Sequence, residues 1–120
     1  MPNKIPELGR FADPALLILS SLADGPKHGY AMMIDIEAFS GTLFAPGTLY
    51  GALPRLEQRG WISALPSEDR RRPYQITGAG LEVLREQLAT LQQVVQTGYK
   101  RLGGVHPAST SLAGADVGKR

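Results

Sequence analysis

Residues 46–60 have the sequence PGTLYGALPRLEQRG, and this stretch decides the fold that we predict for the chain. Pro46 suits the first position of a helix, because its missing N–H would have no helical partner there. Three leucines follow at spacings of four and three residues, which is typical of the apolar side of a helix. They are Leu49, Leu53 and Leu56. Since Gly60 suits the left-handed backbone that commonly ends a helix, the stretch predicts an amphipathic helix from about Pro46 to Arg59.

Two shorter helices are predicted before this stretch. Asp13 can cap the first free N–H groups of a helix and Pro14 fits its first position, and the apolar pattern continues to about Leu22. A second helix is predicted from about His28 to Phe39. On one side, at helical spacing, it carries Tyr30, Met33 and Ile34, and Glu37 fits the same side. The sequence therefore predicts three short helices in succession between Asp13 and Arg59.

Extended segments follow the third helix. Trp61 to Leu65 and Pro73 to Thr77 are predicted as two strands, joined by the polar turn from Pro66 to Arg72. Three helices followed by a hairpin is the order of a winged helix. We therefore predict a mainly α fold of the α+β kind, a winged helix-turn-helix with a two-stranded wing and a long C-terminal dimerisation helix.

The long C-terminal helix is predicted after Thr77, which can cap it. Its apolar residues repeat with alternating steps of three and four, the pattern of a coiled-coil seam. The seam consists of Leu81, Leu84, Leu88, Leu91, Val95 and Leu102. A long exposed apolar stripe is unfavourable for a monomer, so the seam predicts a homodimer.

The chain is accordingly divided into four parts. These are an N-terminal arm (1–12), a winged helix-turn-helix domain (13–77), a dimerisation helix (78–102) and a tail (103–120). The tail is rich in Gly, Ala, Ser and Thr without periodicity, which predicts disorder.

Composition excludes several classes of protein. The 120 residues carry a formal charge of only +2, but five of the nine arginines lie between Arg55 and Arg72, which favours a defined basic contact surface. Without cysteine there are no disulfides and no thiolate zinc sites. No apolar stretch is long enough for a membrane span and the start lacks the apolar segment of a signal peptide, so we expect a cytoplasmic protein without membrane contact.

The helix from Pro46 to Arg59 is the predicted DNA-reading helix, because the later helix of a helix-turn-helix enters the major groove. We expect the hydroxyls of Thr48 and Tyr50 to contact the duplex and Arg55 to pair with phosphate or guanine. Gly47 and Gly51 would let the DNA backbone approach closely. The alternative without a DNA-binding role is an amphipathic helix that only packs on a core.

The wing turn carries three consecutive arginines, Arg70, Arg71 and Arg72. At the tip of a wing they could bind phosphates or a narrow minor groove. Glu68 and Asp69 oppose this charge and could instead pair with the arginines. Which arginines face DNA stays open at this point.

Two rival functions remain. A winged-helix module that binds a ligand or a protein partner and no longer reads DNA would have the same fold. An enzyme is the weakest class, because His28 and His106 lie far apart in the sequence and neither a P-loop nor a nucleophile elbow is present. We therefore predict no enzymatic activity, no metal site and no cofactor.

Several motifs occur in an order that is specific in combination. They are DGPKHGY (24–30), PGTLYGAL (46–53), LE (56–57), GWI (60–62), RRPY (71–74) and IT (76–77), with Gly80. Over about residues 13–102 the chain resembles the PadR family of bacterial transcriptional regulators. The resemblance implies a winged helix-turn-helix dimer that usually represses promoters at palindromic double-stranded operators, often until a small aromatic or drug-like effector binds. The single seam helix resembles the shorter branch of the family, which dimerises through one C-terminal helix.

The resemblance also implies roles for matching positions. Thr48, Tyr50 and Arg55 match the DNA-contacting stretch, and the turn from Arg70 to Arg72 matches the wing. Gly29 and Tyr30 match a motif that is largely structural in the family. The chain departs from the pattern at Ala45, where a capping serine is common, and at Pro54, where a basic or polar residue is usual.

Overall fold

The computed structural model describes residues 13–103. The helices are α1 (Pro14–Leu22), α2 (Gly29–Ser40), α3 (Pro46–Gln58) and α4 (Gly78–Leu102). The strands are β1 (Lys27–His28), β2 (Ile62–Ala64) and β3 (Pro73–Ile76). This order confirms the predicted mainly helical, winged-helix class of fold. The predicted arm (1–12), and the predicted tail beyond Gly103, lie outside the described residues.

The sheet has three strands where the sequence predicted two. Its order is β1-β3-β2 and both pairings are antiparallel, with Lys27 opposite Tyr74 and His28 opposite Pro73. The prediction missed β1 because a strand of two residues is too short to show the alternation that identifies strands. This short strand fixes the start of α2 beside the base of the wing.

Helix ends follow the chemistry that the sequence indicates. The Ala15 N–H donates to Asp13 Oδ1 at 2.8 Å, and the Gly80 N–H donates to Thr77 Oγ1 at 3.0 Å. Gly60 has a left-handed backbone with φ of 77°, which suits the residue that follows a helix. At α3, Ala45 provides no side-chain cap. The signal that remains for the start of this helix is Pro46 at its first position.

The chain divides into two compact units, the first ending at Gln87 and the second beginning at Leu88. The first unit contains the hydrophobic core, which α1, α2, α3, β2 and the beginning of α4 supply. Its buried apolar residues are Leu17, Ile18, Leu19, Leu22, Met32, Ile36, Leu49, Ala52, Leu53, Leu56, Ile62 and Leu84. The predicted leucine stripe of α3 is confirmed, since all three leucines are buried in this core.

The buried side of α2 matches the group that the periodicity selects only in part, because Met33 is partly buried against the core but the most deeply buried residues are others. Met32 and Ile36 are fully buried, whereas Tyr30 and Ile34 are 58% and 53% exposed. Apolar residues surround this helix on several sides, so spacing alone does not identify the side that packs. Tyr30 is consequently available at the surface of the first unit.

The predicted seam is distributed over both units. In the first, Leu84 belongs to the core and Leu81 is partly buried. In the second, Leu88, Leu91, Val95 and Leu102 are exposed by 47%, 38%, 52% and 51%. The exposed part of the seam therefore begins at Leu88.

Candidate nucleic-acid interface

A cleft of about 300 Å³ lies where β1, the start of α2, α3 and the wing meet. Its lining residues are His28, Gly29, Tyr30, Tyr50, Arg70, Arg71, Arg72 and Tyr74. Four of the eight predicted DNA-binding residues, Tyr50 and the three wing arginines, are thus brought together around one concave surface. They come from chain segments about 20 residues apart, so only the fold unites them.

Tyr50 reaches this cleft from the exposed side of α3. The neighbouring Leu49 points into the core, and Tyr50 remains half exposed. Its ring lies across Gly29, so a β-carbon built on residue 29 would be 2.5 Å from Tyr50 Cε1 and 2.6 Å from its hydroxyl oxygen. Only a glycine leaves room for the ring in this position.

The wing turn is organised by Asp69. The carboxylate accepts hydrogen bonds from the Ser67 hydroxyl at 3.0 Å and from the Arg71 backbone N–H at 2.9 Å. These two hydrogen bonds hold the pKa of Asp69 below its ordinary value, and the bond from Ser67 has the larger effect. The charges of Arg71 and His28 lower this pKa further. Asp69 therefore serves as an acceptor inside the turn.

The wing arginines are not neutralised by acidic partners in the first unit. Among residues 13–103 the ion pair that forms joins Lys27 to Asp24, and none involves Arg70, Arg71 or Arg72. The sequence left open whether Glu68 and Asp69 would pair with them; neither forms an ion pair with these arginines, although Asp69 accepts the Arg71 backbone N–H. Three guanidinium groups at one cleft make a positive potential that favours a polyanion.

The other predicted contacts lie on α3 outside this cleft. Gly47, Thr48, Gly51 and Arg55 are all exposed. The open space beside Gly47 and Gly51 agrees with the expected close approach, because a β-carbon at either position would have no neighbour within 4 Å. Arg55 Nη1 donates to the Gly51 carbonyl at 3.0 Å. The predicted residues thus form two groups, one in the cleft and one along α3.

Pro54 does not break α3, which continues from Pro46 to Gln58. A proline at this position removes the N–H that would bind the Tyr50 carbonyl. Pro54 lies on the exposed side, where water can replace that donor. The helix therefore starts where the sequence predicts and ends one residue earlier than predicted, at Gln58.

His28, Tyr30 and Tyr74 line the cleft, although the sequence did not predict them as contacts. His28 Nδ1 accepts the Ala31 N–H at 3.4 Å, so this side chain caps the start of α2. The HGY and RRPY motifs contain all three residues, but the resemblance implies a largely structural role for Tyr30 and no contact role for His28 or Tyr74. Their closeness to the wing depends on β1, which the sequence did not show.

Within residues 13–103 no three His, Asp or Glu side chains are grouped so that they could hold a metal ion. In the same part of the chain, no helix combines the length and apolar composition needed to cross a membrane.

Comparison with known proteins gives a consistent result. Residues 18–86 match the Transcriptional regulator PadR-like family. The solved structure of a PadR family transcriptional regulator from Eggerthella lenta has 32% identity and a TM-score of 0.68, over 81% of this chain and 87% of that one. A transcriptional regulator from Clostridium thermocellum has 26% identity and a TM-score of 0.70, over 82% of this chain and 97% of that one.

A curated relative is an uncharacterised 37.1 kDa protein in a transposon of Streptomyces fradiae. It is 42% identical over 85 residues, which are 71% of this chain and 25% of that protein. The chain therefore spans about a quarter of the length of this relative.

Proposed function

This chain belongs to the PadR-like family of transcriptional regulators, and we propose that it represses transcription by binding a palindromic operator as a homodimer. The family confirms the prediction that the chain is not an enzyme, because its members are regulators of transcription. As a regulator of bacterial promoters, the chain would work in the cytoplasm.

One observation carries the proposal: Tyr50 and the three wing arginines surround the same exposed cleft. In a winged helix the first turns of α3 would enter the major groove, and the wing would follow the neighbouring backbone or minor groove. Guanidinium groups without carboxylate partners are suited to phosphates, because they can bind them without first breaking an ion pair. This arrangement favours a DNA contact over a winged-helix module that no longer reads DNA.

A second copy of the chain would cover the exposed seam. Leu88, Leu91, Val95 and Leu102 are apolar side chains on one helix and each is more than one-third exposed. Burying them against the same residues of a partner would remove this apolar surface from water. The dimer would hold two copies of α3 at a fixed spacing, about one turn of DNA apart.

We extend the proposal to release by an effector, which the family resemblance implies. Val95 and Tyr99, 52% and 73% exposed, carry apolar surface beside the seam. Between two paired helices such side chains would contact a small aromatic or drug-like molecule. Its binding would change the spacing of the two DNA-reading helices.

Selection of duplexes from a random pool by the purified chain, followed by sequencing, tests the proposal. We expect enrichment of inverted repeats whose half-site centres are about one helical turn apart. The matched control is a variant with Arg70, Arg71 and Arg72 replaced by Ala, which should enrich the same inverted repeats much more weakly, because the contacts of α3 remain. Lack of enrichment by the unaltered chain at low salt, or enrichment of sites without inverted symmetry, would contradict the proposal.

A further inference from the structure

We propose that Gly29 is a positioning residue for DNA binding, which acts by leaving room for the ring of Tyr50 and not by supporting the fold of α2. The inference rests on the proposed function, because it takes Tyr50 as a DNA contact. It assigns to Gly29 a role that the family resemblance left as structural packing.

The space at Gly29 is filled by the end of one side chain. The three atoms nearest to a β-carbon at this position would be Tyr50 Cε1, hydroxyl oxygen and Cζ, at 2.5, 2.6 and 2.7 Å. All three belong to the far end of the ring and none to the backbone. An added methyl group would therefore displace the ring first.

The backbone of Gly29 does not itself require glycine. The described glycines with positive φ are Gly25, Gly41 and Gly60, and Gly29 is not among them. Alanine could adopt its conformation, and alanine is the better helix former. The need for glycine at this position thus comes from the ring of Tyr50.

Displacing the ring would leave the core in place. Tyr50 is half exposed, whereas its neighbours Leu49 and Leu53 anchor α3 in the core and are almost completely buried. Gly29→Ala is therefore expected to keep the fold and move the Tyr50 hydroxyl from its place in the cleft that the wing arginines also line. If the Tyr50 hydroxyl loses a hydrogen bond to a DNA phosphate, DNA binding should weaken roughly tenfold.

A double-mutant cycle tests this assignment. The affinity of four proteins for a selected duplex is measured by fluorescence anisotropy: the unaltered chain, Gly29→Ala, Tyr50→Ala and the double variant. We expect each single variant to bind roughly tenfold more weakly, and the double variant to bind no more weakly than Tyr50→Ala. If Gly29 had a purely structural role, Gly29→Ala would weaken DNA binding by the same factor in the unaltered chain and in Tyr50→Ala. That result would overturn the proposal.

Two further measurements separate the ring from the fold. Circular dichroism and thermal unfolding should show an intact Gly29→Ala, and Gly78→Ala is the matched control because a β-carbon there meets nothing within 4 Å. NMR contacts between the Tyr50 ring and the Gly29 α-protons, measured without DNA, should be present in the unaltered chain. An unfolded Gly29→Ala, or the absence of these contacts, would overturn the proposal.

The outcomes also distinguish this inference from the proposed function. If the unaltered chain binds DNA and Tyr50→Ala binds equally well, the role of Gly29 is refuted and the regulator remains. If the unaltered chain binds no duplex, the proposed function fails, and the role of Gly29 fails with it.

Discussion

The backbone carbonyl oxygen of Trp61 lies so close to Gly80 that a β-carbon at residue 80 would overlap it. The side chain of Ile76 approaches the same position to 2.8 Å. The carbonyl is also fixed, because it accepts the Thr77 N–H at 2.9 Å. At Gly29 the neighbour is the end of a side chain, whereas at Gly80 it is backbone.

Gly80→Ala is therefore expected to destabilise the fold. Neither the Trp61 carbonyl nor the Ile76 side chain can move without disturbing the sheet, and such overpacking costs about 1–3 kcal/mol in the free energy of unfolding. Urea denaturation followed by circular dichroism measures this cost. Gly78→Ala, in the same turn of α4 and with open space around it, should cost nothing. Equal midpoints for the two variants would contradict the packing described for Gly80.

The two acidic residues of the wing are expected to respond oppositely to removal. Glu68→Ala removes a negative charge that makes no hydrogen bond or ion pair in the described part of the chain, so DNA binding should become a few-fold tighter. Asp69→Ala removes the same charge, but it also removes the acceptor of Ser67 and Arg71. The turn would then lose its order, and binding should become weaker despite the gain in net positive charge.

Asp69→Asn is the control for this pair, because it removes the charge and keeps an oxygen acceptor. It should bind at least as tightly as the unaltered chain. Anisotropy titrations at one fixed salt concentration compare all three variants. If Asp69→Ala tightens binding as much as Glu68→Ala, the carboxylate does not organise the wing.

Much of the fold was predictable because its signals are local. Asp13, Pro46 and Thr77 mark the helix starts, and Gly60 marks the end of α3 through its left-handed backbone. β1 was not predictable, because two residues are too few to show the alternation of apolar and polar residues that identifies a strand. The packing side of α2 was not predictable either, because apolar residues occur on several sides of this helix.

The candidate site was only partly predictable. Residue chemistry identified Tyr50 and the wing arginines separately, but their meeting in one cleft depends on β1 and the fold of the first unit. Spacing also could not predict that Leu84 is buried while Leu88 is exposed, because this difference depends on the core of the first unit. Both residues fit the spacing of the seam, but only Leu84 is buried by residues of the same chain.

Charged residues in the exposed seam should separate the proposed dimer. Leu88→Glu and Leu91→Glu would place carboxylates in an apolar contact, where they would be desolvated without a partner. Light scattering should give the mass of a monomer, and circular dichroism should show that the first unit stays folded. Gln92→Glu, an exposed change in the same turn, should leave a dimer. A dimer mass for both leucine variants would contradict the seam.

Arg55 and the wing are expected to contribute independently, because Arg55 lies on α3 outside the cleft that the wing arginines line. Arg55→Ala and Arg71→Ala should each weaken operator binding, and the double variant should show the sum of the two changes in binding free energy. Anisotropy measures the affinities of the unaltered chain and the three variants, and circular dichroism should show unchanged folding. A double variant no weaker than either single one would place both arginines on one shared contact.

The most direct test of the DNA-binding surface is the salt dependence of operator affinity, compared between the unaltered chain and the variant with Ala at residues 70, 71 and 72. Each phosphate contact adds about 0.9 to the slope of log affinity against log salt concentration. If the wing arginines bind phosphates, the variant should bind more weakly and its slope should fall by about one to three. An unchanged affinity and slope in a folded variant would show that the wing does not contact DNA, and would contradict the proposed DNA-binding surface.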